Sequence, residues 1–317
     1  MPLEYARTQL VPKPWGRVDL RPWRESGVGG ESVGEIWFER AGVDLARPAL
    51  LLKILFTSEP LSIQVHPDNA FAQSKGEANG KTEAWYVLAT EPGAMVALGL
   101  KASVSDLQLR AAIEDGSIAD LVHWQPAVAG DVILVPAGTI HALGAGLVVA
   151  EIQQQSDTTY RLFDFGRGRT LHVEEALAVA RPGPAAAALA PSPLTKGRTL
   201  LVASPYFVLE RIDLPAGTHW ALNAAQETWL LVIQGQVEVG SATVPVGEAV
   251  FLDSATAGLA AGPDGMRGLL AYAAAAPVAG LLDAMDTPAT GLAPSPFTPP
   301  PHPAPPASAA GNPELCP

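Results

Sequence analysis

The sequence has very little cysteine, and it lacks any long uninterrupted apolar stretch. Cys316 is the only cysteine among 317 residues, so an intrachain disulfide is impossible and a reducing compartment fits best. Charged residues, proline and glycine interrupt every apolar run before it reaches the roughly 18–20 residues that a membrane span needs. The first residues also lack the basic-then-apolar order of a secretory signal. These features predict a cytoplasmic protein with no membrane partner.

Positive charge is scarce as well. Lysine and arginine total 20 against 32 aspartate and glutamate residues, which gives a formal net charge of −12. A chain this acidic is not expected to bind nucleic acid or anionic membrane surfaces. A small anionic substrate remains compatible with this charge, because it responds to the local field of its site. No extended apolar surface stripe stands out, so we expect a monomer with a small-molecule partner.

Short β-rich runs make up most of the chain, separated by turns rich in glycine, proline and asparagine. This pattern is typical of a sandwich or barrel, and 317 residues exceed what one compact core usually takes. We therefore predict a β unit with short helices at residues 1–182, a Pro/Ala-rich linker at 183–195, a smaller β unit at 196–285 and a disordered tail at 286–317. The tail holds 11 of the 30 prolines, and such a composition buries too little apolar surface to offset its ordering entropy.

Periodicity gives the expectations for individual elements. Ser105 and Asp106 can cap a helix that runs to Leu121, and a second helix is expected from about Val173 to Arg181. Gly235 is expected to form a turn between two strands of the second unit. The strand-like runs of the first unit are residues 34–39, 50–56, 61–66, 83–89, 95–99 and 131–136.

Four residues of the first unit have side chains that suit one metal ion. Ser62, Gln64 and His66 occupy alternate positions of a strand-like run, so their side chains share one face. Glu83 begins a second such run, and His141 follows a third. Imidazole nitrogens and a carboxylate oxygen suit a divalent ion such as zinc, and an incompletely protein-ligated ion keeps a position open for chemistry. The sequence therefore predicts one metal site formed by Gln64, His66, Glu83 and His141.

The spacing around these residues resembles the two motifs of the cupin barrel. In the segment 130–141 a strand, a tight Pro/Gly turn and a histidine follow one another, as in the second cupin motif. The first cupin motif usually has two histidines at alternate positions and a glutamate a few residues later. Here Gln64 and His66 take the alternate positions, and Glu83 follows after a 16-residue insertion. The glutamine at the first position and the insertion before Glu83 depart from the usual motif, and they reduce the number of cupin families that the sequence resembles.

Five runs, in the same order along the chain, resemble the type I mannose-6-phosphate isomerases (phosphomannose isomerases), in their short bacterial form. They are residues 12–16, 61–68, 80–86, 135–142 and 156–161. The resemblance covers most of residues 10–180, and the β unit that reaches about residue 275 fits the second cupin of the family more loosely. It implies a mainly β fold of two cupin-type (jelly-roll) β-barrels with a few short helices, in which the second barrel is free of metal.

The resemblance also implies the chemistry. The family carries out a zinc-dependent, reversible interconversion of mannose 6-phosphate and fructose 6-phosphate, which predicts one Zn²⁺ per chain in the cytoplasm. Arg161 matches the active-site arginine of the family, and Ser62 matches its serine near the phosphate. By motif position, the zinc ligands of the family fall on Gln64, His66, Glu83 and His141.

Moving hydrogen between C1 and C2 of an open-chain sugar requires a base near the carbon-bound proton and a cation near the developing oxyanion. Lys81 alternates with Glu83 and so shares its face, and Glu151 lies on another strand-like run; both are candidates for proton transfer. The planar fork of Arg161 suits a phosphate or an enediolate oxygen. Lys53 is a charged residue inside an apolar run, so we expect it to face the pocket and to contact the substrate.

Several alternatives remain open at this stage. Gln64 could be a hydrogen-bonding neighbour of the metal, and Arg161 could pair with Asp157 or Asp164 for structural reasons. The protein could be a cupin isomerase or epimerase that acts on another sugar, or a non-catalytic bicupin that binds sugar or metal. An iron dioxygenase on a similar barrel is a further option, because these ligand types do not exclude iron.

Overall fold

The computed structural model describes residues 3–25, 30–42, 47–186 and 190–285. Within these ranges the chain forms 21 strands and four helices. The predicted tail at 286–317 and residues 187–189 of the predicted linker lie outside the described residues. None of the four described helices is long and apolar enough to cross a membrane.

The elements follow one another in this order. The first part of the chain forms β1 (Leu3–Tyr5), β2 (Arg7–Arg17), β3 (Val33–Glu39), β4 (Leu50–Thr57), β5 (Ile63–Val65), α1 (Asn69–Ser74), β6 (Glu83–Thr90), β7 (Met95–Leu100), α2 (Asp106–Asp115), α3 (Ile118–Leu121), β8 (Val122–Pro126), β9 (Val132–Val135), β10 (His141–Leu143), β11 (Leu147–Gln154), β12 (Tyr160–Phe163) and α4 (Val173–Val179). The second part forms β13 (Ser192–Thr195), β14 (Arg198–Ala203), β15 (Val208–Leu214), β16 (His219–Ala224), β17 (Thr228–Val239), β18 (Ala242–Pro245), β19 (Ala249–Leu252), β20 (Ala255–Tyr272) and β21 (Leu282–Met285).

Two antiparallel sheets between residues 7 and 163 hold the first core. One sheet has the strand order β2-β3-β4-β11-β6-β9, and the other has the order β12-β5-β10-β7-β8. Trp85 and Leu147 of the six-stranded sheet share one apolar cluster with Val96 and Leu143 of the five-stranded sheet. Burial of these side chains holds the two sheets face to face. The mainly β fold class is therefore confirmed.

The third sheet has ten strands and covers the outer face of the six-stranded sheet. Its main path is β1-β19-β17-β20-β15-β14-β13, so the strand nearest the N-terminus joins a sheet otherwise built from residues 192–285. Trp229 and Leu231 of this sheet pack with Ile54 and Ile152 on the outer face of the six-stranded sheet. Every residue of β4 and β11 is consequently buried. Burial on both faces explains why β4 is apolar except at Lys53 and Thr57. The division of the chain at residues 182 and 196 stays a prediction.

The helices cover the outer face of the five-stranded sheet, where α2 and α4 contribute to one apolar cluster. The helix expected to run to Leu121 ends at Asp115, because Gly116 adopts a left-handed conformation with φ of 82°. Ser105 caps α2 as expected, and it forms a capping box with Gln108. Helix α4 ends at Val179, two residues before the predicted end.

The turn predicted at Gly235 is wrong. Strand β17 continues through this position, and its register against β20 shifts there, which marks a bulge. Gly235 has φ of 70°, and a Cβ atom at this position would lie 2.1 Å from the carbonyl oxygen of Gly265. Both a turn and a bulge need the positive φ that glycine adopts readily, so the same sequence signal is typical of either.

Candidate active site and metal centre

Three of the four predicted metal ligands converge between the first two sheets. His66, Glu83 and His141 are fully buried, and their ligand atoms all lie within 4.8 Å of one another. Strand β10 pairs with β5 so that His141 lies opposite Gln64, and His66 directly follows β5. Glu83 begins β6 on the facing sheet. The site is therefore built by residues from both sheets, which are far apart in the sequence.

Hydrogen bonds to the backbone fix the orientation of both imidazole rings. Nδ1 of His66 lies 2.9 Å from the carbonyl oxygen of Thr158, and Nδ1 of His141 lies 2.8 Å from that of Thr139. A carbonyl oxygen only accepts hydrogen bonds, so each Nδ1 carries the proton and each Nε2 presents a lone pair. Burial lowers the pKa of His66 to about 3 and also lowers the pKa of His141. Both rings are therefore neutral, which is the form that ligates metal ions.

The lone pairs of both rings face the carboxylate of Glu83. His66 Nε2 lies 3.4 Å from Oε2, and His141 Nε2 lies 3.3 Å from Oε1. In the described part of the chain, His66 Nε2 and both carboxylate oxygens are buried and form no hydrogen bond. Buried acceptors that face one another are costly unless a cation lies between them. The two His–Glu separations are close to the about 3.3 Å between ligands of a tetrahedral ion with bonds of ~2.0–2.1 Å, so these residues fit a zinc-like ion.

Gln64 lies beside this group of His66, Glu83 and His141, which is the candidate metal centre, with its amide nitrogen toward His141. Its Nε2 is 3.3 Å from Nε2 of His141, and its Oε1 accepts a hydrogen bond of 3.0 Å from Ser62 Oγ. In this orientation the amide donates to the lone pair of His141. A half-turn of the amide would bring Oε1 to the same place, because the two orientations have nearly the same shape. Direct ligation by Gln64 stays a prediction.

A pocket of about 160 Å³ adjoins the metal centre. It is lined by Lys13, Trp15, Glu35, Lys53, Leu55, Leu61, Ser62, Gln64, Lys81, Trp85, His141, Leu143, Glu151, Asp157, Thr159, Arg161 and Arg169. All predicted site residues line this pocket except His66 and Glu83. Those two lie behind its wall, where Glu83 contacts His141 and Lys81.

Lys81 is buried and contacts Glu83 of the candidate metal centre. Its Nζ lies 3.2 Å from Oε2 of Glu83. Burial alone would lower the pKa of Lys81, but the charge of Glu83, with those of Glu151 and Asp157, raises it above its ordinary value. Lys81 is therefore a charged ammonium that can donate hydrogen bonds into the pocket.

Glu151 has the acid–base properties that proton transfer requires. It is 4% exposed, and its Oε2 accepts a hydrogen bond of 3.0 Å from the indole of Trp85. Burial, and then the charge of Glu83, raise the pKa of Glu151 to about 7. A carboxylate with a pKa near the working pH is well matched to accept and return a proton. Of the two candidates for proton transfer, Glu151 is thus the better base.

Lys53 faces the pocket as predicted, but carboxylates already surround it. Its Nζ lies 3.1 Å from Asp157, 3.6 Å from Glu151 and 3.7 Å from Glu35, and 4.5 Å from the ring centre of Trp37. Sequence reasoning missed Glu35 as part of this group. The available signal was the one that identified Lys53, namely a charged residue inside an otherwise apolar strand.

Arg161 also lines the pocket, and the structural pairings considered for it are not formed. Asp157 contacts Lys53, while Asp164 contacts Arg167 and Arg169. Among the described residues Arg161 forms no ion pair with a carboxylate. Its Nη1 donates to the carbonyl oxygen of Thr170 at 3.1 Å, and its Nε is buried without a hydrogen-bond partner.

Known proteins provide an independent test of family and fold. No protein-family model matches the sequence. A mannose-6-phosphate isomerase of Streptococcus mutans is 33% identical over 278 residues, which cover 74% of this chain and 87% of that protein. The mannose-6-phosphate isomerase ManA of Bacillus subtilis is 39% identical over 162 residues, which cover 47% of this chain and 51% of that protein.

Solved structures agree with these relatives. The crystal structure of a mannose 6-phosphate isomerase from Bacillus subtilis has a TM-score of 0.75 and 26% identity, and the match covers 86% of this chain and all of that one. A phosphomannose isomerase from Salmonella typhimurium shares the fold, with a TM-score of 0.68 at 14% identity. The predicted cupin-type fold is thus confirmed. Together with the identity to the streptococcal enzyme, this places the chain in the mannose-6-phosphate isomerase family.

Proposed function

We propose that this protein interconverts mannose 6-phosphate and fructose 6-phosphate with one zinc ion per chain. The observation that carries the proposal is the buried group of His66, Glu83 and His141 beside a pocket that also contains Glu151. This group supplies two neutral imidazoles and a carboxylate whose ligand atoms lie within 4.8 Å of one another, a donor set that zinc favours. When bound, a divalent ion would stabilise the negative charge that develops on the substrate oxygens.

Residues of the pocket transfer the proton and bind the substrate in this proposal. Glu151, with a pKa of about 7, takes the proton from one of the two carbons and returns it to the other through an enediol. Lys81 donates hydrogen bonds from its charged ammonium to a substrate oxygen. Arg161 offers its free donors to the phosphate or to an enediolate oxygen. Ser62 and Lys53 line the same pocket and complete the proposed contacts to the substrate.

The alternative functions fit less well. The relatives are all named as mannose-6-phosphate isomerases, which does not favour another sugar or a non-catalytic bicupin. A binding protein would also have no use for an acid–base carboxylate next to the metal centre. A cytoplasmic location and a monomeric state without nucleic acid or membrane partners belong to the same proposal. The location rests on the single cysteine, the lack of nucleic-acid and membrane partners on the acidic composition, and the monomeric state on the lack of an extended apolar surface stripe in the sequence.

The test is a coupled assay with mannose 6-phosphate on protein stripped of metal by a chelator and then titrated with zinc. Activity should vanish on stripping and return in proportion to bound zinc, up to one equivalent. His141→Asn should abolish metal binding and turnover. His219→Asn is the matched control, because His219 lies on β16 outside the metal centre. Full activity of stripped protein would refute the metal requirement, and one bound equivalent of zinc without turnover would refute the proposed reaction.

A further inference from the structure

The cationic side chains of the pocket differ in how their charges are balanced. Five of them line it: Lys13, Lys53, Lys81, Arg161 and Arg169. Every lysine has a carboxylate partner beside the pocket, since Lys13 lies 3.1 Å from Glu35, Lys53 contacts three acidic groups and Lys81 contacts Glu83. The lysines therefore leave little positive charge for an anionic ligand.

The two arginines keep an excess of positive charge. Arg161 forms no ion pair among the described residues, and Arg169 shares its only carboxylate partner, Asp164, with Arg167. Arg167 also lies 3.7 Å from Glu59, but that side chain is 59% exposed and water screens its charge. Burial, and then the nearby charge of Arg169, lower the pKa of Arg161. The surplus cation density of the pocket is thus concentrated at this pair of guanidinium groups.

Asp164 holds Arg169 in a defined orientation. Asp164 is 5% exposed, and it accepts hydrogen bonds from Nε, Nη2 and the backbone N–H of Arg169. Positive φ angles at Phe165, Gly166 and Gly168 turn the loop so that residues on both sides reach the same carboxylate. Nη1 of Arg169 then has no protein partner in the described structure, and the side chain lines the pocket with 32% of its surface exposed.

The same loop is fastened to the segment that leads to Ser62. Arg167 donates from Nη1 to the carbonyl oxygen of Pro60 at 2.7 Å, and from Nε and Nη2 to Asp164. Arg161, on β12, lies opposite Gln64 of β5. The segment that carries Arg161 and Arg169 is therefore held to β5 by strand pairing and to Pro60 by the hydrogen bond from Arg167.

We propose that Arg169, oriented by Asp164, binds the phosphate group of the substrate together with Arg161 and sets the preference for a phosphorylated sugar. This inference rests on the proposed function. A phosphate dianion needs more than one positive charge, and planar guanidinium groups bind its oxygens through two parallel hydrogen bonds. Arg169 is a binding residue in this assignment, and Asp164 is a positioning residue.

The experiment compares Arg169→Gln with the wild type on mannose 6-phosphate and on unphosphorylated mannose, both with the metal-loaded enzyme. Loss of a charge-assisted contact should lower kcat/KM for mannose 6-phosphate about 10-fold or more, mainly through KM. Turnover of mannose should change less than about twofold. Inorganic phosphate should inhibit the variant about 10-fold more weakly than the wild type. Arg169→Lys keeps the charge but loses the planar guanidinium group, so its KM and its inhibition by phosphate should lie between those of the wild type and of Arg169→Gln.

Arg267→Gln is the matched control. Arg267 donates from Nε to Asp213, which Arg211 also contacts, so it repeats the two-arginine pattern outside the pocket. This variant should leave all three readouts unchanged.

The outcomes separate the inference from the proposed function. A wild type that does not turn over mannose 6-phosphate refutes the proposed function. An active wild type with an Arg169→Gln variant of unchanged KM and phosphate inhibition refutes the inference alone. An equal loss with mannose and mannose 6-phosphate would show that Arg169 acts through the fold, which also overturns it. If Arg169→Gln does not fold, Arg169→Lys with the same three readouts decides between these outcomes.

Discussion

Replacing Lys53 with methionine tests whether the acidic groups of the pocket depend on one buried ammonium. Lys53 is 2% exposed, and its Nζ lies within 3.7 Å of Glu35, Glu151 and Asp157. Asp157 is 56% exposed and Glu35 also lies 3.1 Å from Lys13, so the buried Glu151 accounts for most of the effect. Methionine keeps the apolar stem but removes the charge, and breaking a buried ion pair leaves a charge uncompensated. The free energy of unfolding should therefore fall by about 3–5 kcal/mol at pH 8.5.

This loss should depend on pH, because Glu151 can take up a proton. Burial and the charge of Glu83 raise its pKa to about 7, against an ordinary value of 4.5. Without Lys53 the pKa in the folded protein rises further, whereas the pKa in the unfolded chain does not change. Near pH 6 Glu151 is protonated in both folded proteins, so the free energies of unfolding of wild type and Lys53→Met differ least at this pH. Above pH 7 Glu151 loses its proton easily only in the wild type. The difference in free energy of unfolding between wild type and Lys53→Met therefore grows by up to about 1.4 kcal/mol per pH unit.

The assay is urea unfolding at pH 6 and pH 8.5 in the presence of a chelator, followed by tryptophan fluorescence and circular dichroism. Lys101→Met is the control, because Lys101 is exposed and donates to the carbonyl oxygen of Asp120; its effect should stay within about 0.5 kcal/mol. Adding Glu151→Gln to Lys53→Met should remove the pH dependence. A loss below about 1 kcal/mol, or one of equal size at both pH values, would refute this description of the buried charges.

Three further substitutions test the remaining parts of the site. Glu83→Gln should weaken zinc binding more than about 100-fold, as measured by chelator competition, because loss of a charged ligand exceeds the 10–100-fold effect of an outer partner; retained affinity would remove Glu83 from the ligand set. Gln64→Leu should weaken zinc binding at least about 10-fold if the amide is a ligand, and an unchanged affinity would make Gln64 only a neighbour of His141. Arg161→Ala should keep one equivalent of zinc while kcat/KM for mannose 6-phosphate falls about 100-fold; ordinary kinetics would contradict its role.

The local parts of the site could be predicted because they depend on short-range geometry. Alternation on a strand put Gln64 and His66 on one side, and the Pro/Gly turn before His141 is visible in the sequence. The structure pairs His141 with Gln64 across 77 positions and places Glu83 on the facing sheet. Periodicity alone carries no information about such distant contacts. The family resemblance supplied that information, because its motifs report positions that meet in space.

The partners of the charged side chains could not be predicted in the same way. Lys53 was identified as a charge inside an apolar strand, but Asp157 lies in the loop after β11, and only the folded chain brings it to Nζ. Asp164 was considered as a partner for Arg161, but the turn at Phe165 directs it to Arg167 and Arg169. Which of several nearby cations a carboxylate contacts depends on loop conformation, and composition does not determine that conformation.

The lysines and arginines of the pocket are expected to have different roles, because lysine and arginine differ in their acid–base chemistry. The charge of Glu83 raises the pKa of the buried Lys81, and Lys53 lies beside Glu151, so the charges of both lysines act on the candidate acid–base group. An arginine stays charged at any working pH. A guanidinium that forms no ion pair within the described residues, such as that of Arg161, therefore attracts anions whatever the protonation state nearby. This local charge can act on a substrate although the whole chain carries −12, because distant surface charges are screened beyond about 10 Å. Substitution of the lysines or of Glu151 should therefore change the pH dependence of turnover, whereas substitution of the arginines should change substrate affinity at every pH.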